Sequence, residues 1–340
     1  MSEPAEVAAA LVAEGKGILA ADESHGTIGK RFDSIGVEST EENRRLYREL
    51  LFSAPGVERF LSGVILFDET IRQSDSAGTP FPELLRSRGI MPGIKVDKGT
   101  HPLAGAPGET VTEGLDGLRE RFEEYRRLGA SFAKWRATYV VDRAAGLPSD
   151  YAVSANAHAL ARYAALSQEA GLTPIVEPEV LMNGSHTIEE SFEATRRVQR
   201  GVYAELEAQR VEVEGTLLKP NMVLSGYDCP QQASDDEIAE LTLRCLRETV
   251  PGGVPGIVFL SGGQTPEAAT ARLNAMNMRG RQPWQISFSF SRALQEPVLQ
   301  AWRGKAEQAG EAQRVFLHRA SCNGAARSGA YSPVMESGGE

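Results

Sequence analysis

The sequence is short of the residues that build local metal and redox sites. It has three cysteines, Cys229, Cys245 and Cys322, and no two stand at CxxC spacing. The count is odd, so no disulfide framework is expected, and the thiols read as the reduced cysteines of a cytoplasmic protein. The five histidines, at 25, 101, 158, 186 and 318, are scattered, with none at HxH or HxxxH spacing. A sequence-local histidine zinc site is therefore not expected. No apolar run reaches the ~18 residues that a membrane-spanning helix needs. The first residues, MSEPAEVAAALVAEG, are acidic where a signal peptide would be basic. Positive charge is also in deficit: 36 Lys and Arg against 46 Asp and Glu leave a net charge of −10. That excludes general affinity for nucleic acid or for an anionic membrane. It leaves room for an anionic small substrate held by local basic residues.

What is present is alternation. The chain has 340 residues, 41% of them apolar, enough for a large core. Short apolar, β-branched runs occur at 17–22, 63–68, 93–97, 132–137, 174–180, 216–222, 256–262 and 286–291. Segments of helical period with polar faces separate them, such as 40–53, 115–128, 190–210 and 234–250. Ser39 with Glu42, and Ser234 with Glu237, stand at capping-box spacing, and Pro251-Gly252-Gly253 ends the later helix. Eight strands alternating with helices imply a single (β/α)8 TIM barrel over residues 1–340. A short N-terminal helical extension precedes it, and residues 321–340 are expected as a flexible tail. An open doubly wound sheet would predict a GxGxxG turn after the first strand, and none is there.

The anomaly is charge inside apolar strands. Lys95 and Asp97, Lys134 and Arg136, and Glu177 and Glu179 are each two residues apart, so each pair shares a face. Asp22 ends the first strand, Lys219 sits in the sixth and Arg292 follows the eighth. One such charge is more often a rim charge or a salt-bridge partner. A ring of them at the C-terminal strand ends marks the place where barrel enzymes put their active sites. Two loops suit phosphate. In LSGGQTPEAA, Ser261, Gly262 and Gly263 precede a helix start, with Arg292 in the adjacent turn. In DESHGTIGKR, Ser24, Thr27, Lys30 and Arg31 either hold a second phosphate or cap a helix.

The segments GKGILAADES (15–24), STEENRR (39–45), GIKVDKG (93–99), FAKWR (132–136), IVEPE (175–179), EGTLLKPNM (214–222), FLSGGQ (259–264) and FSRALQ (290–295) resemble class I fructose-bisphosphate aldolases, in family order over roughly residues 15–320. The resemblance implies reversible cleavage of fructose 1,6-bisphosphate through a lysine Schiff base, with no metal and no cofactor. Lys219 matches the nucleophile. It must lose its proton to attack, and a neighbouring ammonium, Lys134, favours that loss. Glu177 matches the proton shuttle, a carboxyl that needs tuning toward neutral pH. Glu179 matches a supporting residue, and Asp22 a group at the hydroxyl that loses its proton as the bond breaks. Lys95 matches a substrate-binding lysine, with Arg136 assigned to substrate beside it. Ser261, Gly262, Gly263 and Arg292 match one phosphate site; Ser24, Thr27, Lys30 and Arg31 fall in the region of the other. A homotetramer is implied by the resemblance alone.

Two departures stand out. Animal members of the family end in a tail whose terminal tyrosine assists proton transfer at the carbanion, whereas this sequence ends MESGGE and its last tyrosine is Tyr331. Family members commonly read Tyr-Gly-Arg where this chain has Phe290-Ser291-Arg292, and loss of that glycine is expected to narrow a backbone approach to phosphate. The competing readings are another phosphosugar enzyme on a barrel, a non-catalytic scaffold, and a zinc-dependent aldolase, against which the scattered histidines speak.

Overall fold

The computed structural model describes residues 3–337. Eight parallel strands form a closed barrel: β1 (Gly17–Ala21), β2 (Leu61–Leu66), β3 (Met91–Lys95), β4 (Phe132–Tyr139), β5 (Thr173–Val180), β6 (Leu217–Leu218), β7 (Gly256–Phe259) and β8 (Gln285–Phe290). Neighbours in sequence are neighbours in the barrel, and β8 closes on β1 with Ile18 opposite Ser289. The fold is the (β/α)8 barrel that the alternation predicts. A small antiparallel hairpin, Thr100–Pro102 with Thr110–Thr112, interrupts the path from β3 to β4. Its Thr112 hydroxyl donates to the Arg136 carbonyl at 2.7 Å, so it leans on the C-terminal half of β4.

The sixth strand is shorter than the run at 216–222 predicts. Pro220 has no N–H to give to a ladder, so regular pairing ends at Leu218. The backbone stays in line regardless. Lys219 N–H donates to the Val176 carbonyl at 2.8 Å, and Leu260 N–H donates to the Pro220 carbonyl at 3.1 Å. Lys219 is thus held as firmly as a strand residue while standing just past a strand end.

Two cores sandwich the strands. The outer one, between strands and helices, contains Trp135, Phe259, Phe288 and Phe290. The inner one is a plug at the N-terminal end of the barrel. Ile18, Ala20, Ile65, Phe132, Ile175, Leu217 and Val258 meet Ala8, Leu11 and Val12 of the N-terminal helix (Glu3–Leu11) and its exit. The helical extension therefore closes the barrel floor. Glycines make the space. A methyl at Gly93 would lie 2.2 Å from the Phe132 ring, at Gly63 2.6 Å from Leu11, and at Gly256 2.5 Å from Val12.

Helix starts follow the polar signals with one shift. Ser234 and Glu237 form the expected capping box. The other expected box moves by one residue: Thr40, not Ser39, caps Glu41–Phe52, because its hydroxyl reaches Asn43 N–H at 3.1 Å. Residues 321–327, expected to open a flexible tail, are the last turns of the helix Ala309–Arg327. Beyond it Tyr331 is buried, and its hydroxyl donates to Glu336 at 2.8 Å; residues 338–340 lie outside the described part. Among the described residues no helix is long and apolar enough to cross a membrane.

The close fit of Phe132 against Gly93 predicts that Gly93→Ala lowers unfolding free energy by about 1–3 kcal/mol, the usual penalty for overpacking a core. Chemical denaturation measures it, and adding Phe132→Leu should recover part of the loss.

Candidate active site

Strand alternation builds the site. Above the apolar plug the inward positions turn charged: after Ile18 and Ala20 comes Asp22, after Phe132 comes Lys134, after Ile175 comes Glu177, and after Leu217 comes Lys219. These four side chains are almost wholly enclosed, Lys134 with 3% and Lys219 with 4% of its surface exposed. Lys134 is their hub. Its ammonium stands 2.8 Å from Asp22, 3.2 Å from Glu177 Oε2 and 3.8 Å from Asp97. Glu177 Oε1 in turn faces the Lys219 ammonium at 3.2 Å. Lys95 lies 3.4 Å from Asp97. Arg136 pairs with Glu179.

Electrostatics follow from that geometry. Burial by itself would raise the Asp22 carboxyl, but Lys134, Lys219 and Lys95 together hold it well below the usual range. Burial would lower the Lys134 ammonium, yet Asp22, Glu177 and Asp97 push it far up, so it is a permanent cation. Glu177 differs from expectation. Burial favours its neutral form, but Lys134 and Lys219 outweigh it, and the carboxyl lies below its ordinary value instead of near neutrality. Its Oε2 accepts no hydrogen bond, having only the ion contact with Lys134.

All the side chains expected at the site line one cleft of about 550 Å³ at the C-terminal face of the barrel. Lys95, Arg136 and Glu179 surround the lysine–carboxylate cluster, and the two candidate phosphate regions flank it. On one flank Ser261 and Gly262 line the cleft beside Arg292, the first residue of the helix Arg292–Trp302. Gly263 stands behind them, where a Cβ would come within 2.9 Å of the Arg292 guanidinium. Both glycines have positive φ, +59° and +95°, a backbone that side chains resist. Tyr227, from the loop after β6, donates to the Gly262 carbonyl at 2.6 Å and ties the loops together. On the other flank Ser24 and Thr27 face each other at 3.2 Å. Lys30 lies exposed on the helix His25–Asp33.

Sequence reasoning missed Glu23. Buried between Asp22 and Ser24, it pairs with Arg31 and, at 2.6 Å, with Arg48. It also accepts from Ser291 at 2.6 Å and from Gln295 at 2.8 Å. Burial and the Asp22 charge act against ionisation, but the two arginines prevail and bring this carboxyl down to about 2. Arg31 is therefore engaged with Glu23, and it also donates to Ser291 at 3.0 Å. Ser291 stands at the family's glycine position and lines the cleft. Its φ is −109°, a conformation that needs no glycine, and its hydroxyl is spent on Glu23. Local signals for Glu23 were weak, since only Arg31 is near it in sequence.

A family model described as "Fructose-bisphosphate aldolase class-I" matches residues 3–340. The chain belongs to the class I fructose-bisphosphate aldolases. A probable class 1 fructose-bisphosphate aldolase of Xylella fastidiosa is 56% identical over 328 residues, covering 96% of this chain and 98% of that one. A cytosolic fructose-bisphosphate aldolase of Arabidopsis thaliana is 55% identical, covering 95% and 90%. A solved structure of the Plasmodium falciparum aldolase, in complex with TRAP and a small-molecule inhibitor, superposes with a TM-score of 0.96 at 49% identity, covering 97% and 95%. The activity of this aldolase is accordingly class I fructose-bisphosphate cleavage in glycolysis.

Asp22, Glu23 and Glu177 all have carboxyl pKa values lowered on folding, so the folded state binds fewer protons than the unfolded state in acid. Their stabilisation is present at neutral pH and is lost as pH falls below the unfolded values of 3.8 and 4.5. Thermal unfolding should show stability declining from pH 4.5 toward pH 2, the interval over which Glu23 titrates. Glu23→Gln should be less stable than the wild type at pH 7 and should lose less over that acid interval.

Proposed function

We propose that Lys219 is the Schiff-base nucleophile, and that Glu177, Lys134, Asp22 and Glu179 complete the machinery. The carrying observation is the contact of the Lys219 ammonium with Glu177 at 3.2 Å, in a pocket where Lys134 bridges Glu177 to Asp22. The free amine of Lys219 attacks the substrate ketone, and Glu177 supplies the proton with which the carbinolamine oxygen leaves as water. The iminium so formed takes up the electron pair of the breaking carbon–carbon bond. Asp22 accepts the proton of the hydroxyl that becomes the aldehyde. The enamine left behind is protonated on carbon, and water returns the ketone and frees Lys219.

The lowered Glu177 carboxyl fits this cycle. It is held down by three cations, Lys134, Lys219 and Arg136, so one of them is Lys219 itself. When Lys219 is consumed as a neutral carbinolamine, that cation vanishes and the buried carboxyl rises, which makes it an acid at the step that needs one. Formation of the cationic iminium then lowers it again. The reaction tunes its own shuttle. Glu179 supports the arrangement through Arg136. Lys95 and Arg136 contact the substrate chain.

Ser261, the Gly262–Gly263 backbone and Arg292 take one phosphate. Ser24, Thr27 and Lys30 take the other, with Arg31 held nearby by Glu23. The phosphates thus meet the rim cations, while the central charges balance one another. A cytoplasmic location and a homotetrameric assembly belong to the same reading; the tetramer rests on resemblance to the family, and the plant relative is named cytosolic.

Incubation with dihydroxyacetone phosphate and borohydride, followed by peptide mapping, tests the assignment. A reduced adduct on Lys219 that forms equally in the presence of a chelator is expected, and Lys219→Met should cleave substrate only at the background rate. An adduct on another lysine, or full cleavage activity in Lys219→Met, would sink it.

A further inference from the structure

We propose that His318, Cys322 and Glu336 form a zinc site that pins the C-terminal segment to the barrel wall. His318 and Cys322 are four residues apart on the helix Ala309–Arg327 and share a face. Glu336 comes to them from the short 3-10 turn Pro333–Ser337. A single atom, His318 Nε2, stands 3.7 Å from Cys322 Sγ and 3.7 Å from Glu336 Oε2. All three donor atoms lie within 4.8 Å of one another.

Those lengths match the chemistry. Zinc bonds nitrogen, sulfur and carboxylate oxygen at about 2.0–2.3 Å, so the edges of its coordination tetrahedron are about 3.3–3.8 Å. The two edges measured from His318 need almost no adjustment to receive the ion. An imidazole, a thiolate and a carboxylate are a donor set that suits zinc better than calcium or magnesium. The carboxylate is already oriented, since Glu336 Oε1 accepts from Tyr331 at 2.8 Å and Oε2 is held by Arg319. Such outer contacts orient metal ligands in general.

Two charges bear on the site. The Arg319 guanidinium opposes a cation and must share Glu336 Oε2 with it, while the Glu267 carboxylate acts in the opposite sense on Cys322. Burial keeps the free Cys322 thiol protonated, so zinc would displace that proton on binding. Cys322 is fully buried, but the side chains of His318 and Glu336 are 26% and 22% exposed, which gives the ion a path inward and leaves the fourth position to water. None of the three residues lines the catalytic cleft, so the role is structural: the ion would staple the segment after Arg327 to the helix before it.

Cobalt(II) chloride, added to the metal-free full-length protein, reports on the site through its spectrum. Expected are a near-ultraviolet sulfur-to-cobalt charge-transfer band and the visible bands of tetrahedral cobalt, saturating at about one equivalent per chain. Cys322→Ser and Glu336→Gln should abolish the sulfur band or weaken binding at least tenfold, and Cys229→Ser should leave both unchanged. Zinc chloride should raise the melting temperature of the wild type and not of Glu336→Gln, whose substituted residue lies on the surface segment. Aldol cleavage should be the same in Glu336→Gln as in the wild type. Absence of a sulfur band at equimolar cobalt, or a band removed by Cys229→Ser and kept by Cys322→Ser, would overturn the proposal.

Discussion

The Lys134 ammonium is buried among Asp22, Glu177 and Asp97, at 2.8, 3.2 and 3.8 Å. Water is largely shut out there, so charges that were not matched would force one another neutral or push the strands apart. Lys95, Lys134 and Lys219 are set against Asp22, Asp97 and Glu177, and each sits in contact with at least one opposite charge of the set. Lys134 touches all three carboxylates. Remove its charge and three buried anions remain around two cations. The pocket is thus a structural network in its own right, because the charge that stabilises Asp22 and Glu177 as anions also fixes Glu177 beside the Lys219 ammonium.

The barrel makes that concentration of charge tolerable. Beneath it, Phe132, Ile175, Leu217 and Val258 are sealed by Leu11 and Val12, a dry floor that supports Lys134, Glu177 and Lys219 two residues further along their own strands. Gly63 and Gly93 let the Phe132 ring lie flat within the barrel. The rim above is polar. Its segments are tied by hydrogen bonds such as Tyr227 to the Gly262 carbonyl, and by the Glu23 carboxylate, which gathers Arg31, Arg48, Ser291 and Gln295.

Much of this was legible in the chain. Charged pairs two residues apart in apolar runs reveal inward-facing strands, because strand alternation is local and rigid. Lys134 and Glu177 are therefore legible from strand alternation, whereas Lys219 belongs to no such pair and its role comes from the family resemblance of EGTLLKPNM. What escaped depends on contacts distant in sequence. Glu23 is held by Arg48 and Gln295, which are 25 and 272 residues away, and no local pattern announces them. Strand six looked longer than it is because hydrophobicity does not register the missing N–H of Pro220. Toward the last described residues, polar composition hides one buried tyrosine, Tyr331, and the Arg319–Glu336 pair. His318 and Cys322 carry no local pattern that includes Glu336, because it reaches them from another segment of the chain.

The dependence of Glu177 on Lys134 is the most exposed part of this account, and it can be read directly. Carbon-13 NMR of glutamate-labelled protein, titrated with pH and assigned with Glu177→Gln, reports the Glu177 carboxyl. In the wild type it should titrate below the ordinary 4.5. In Lys134→Met, where burial is opposed by Lys219 and Arg136 alone, the midpoint should move upward. A Glu177 midpoint that is the same in both proteins would contradict the claim that the Lys134 charge governs the site.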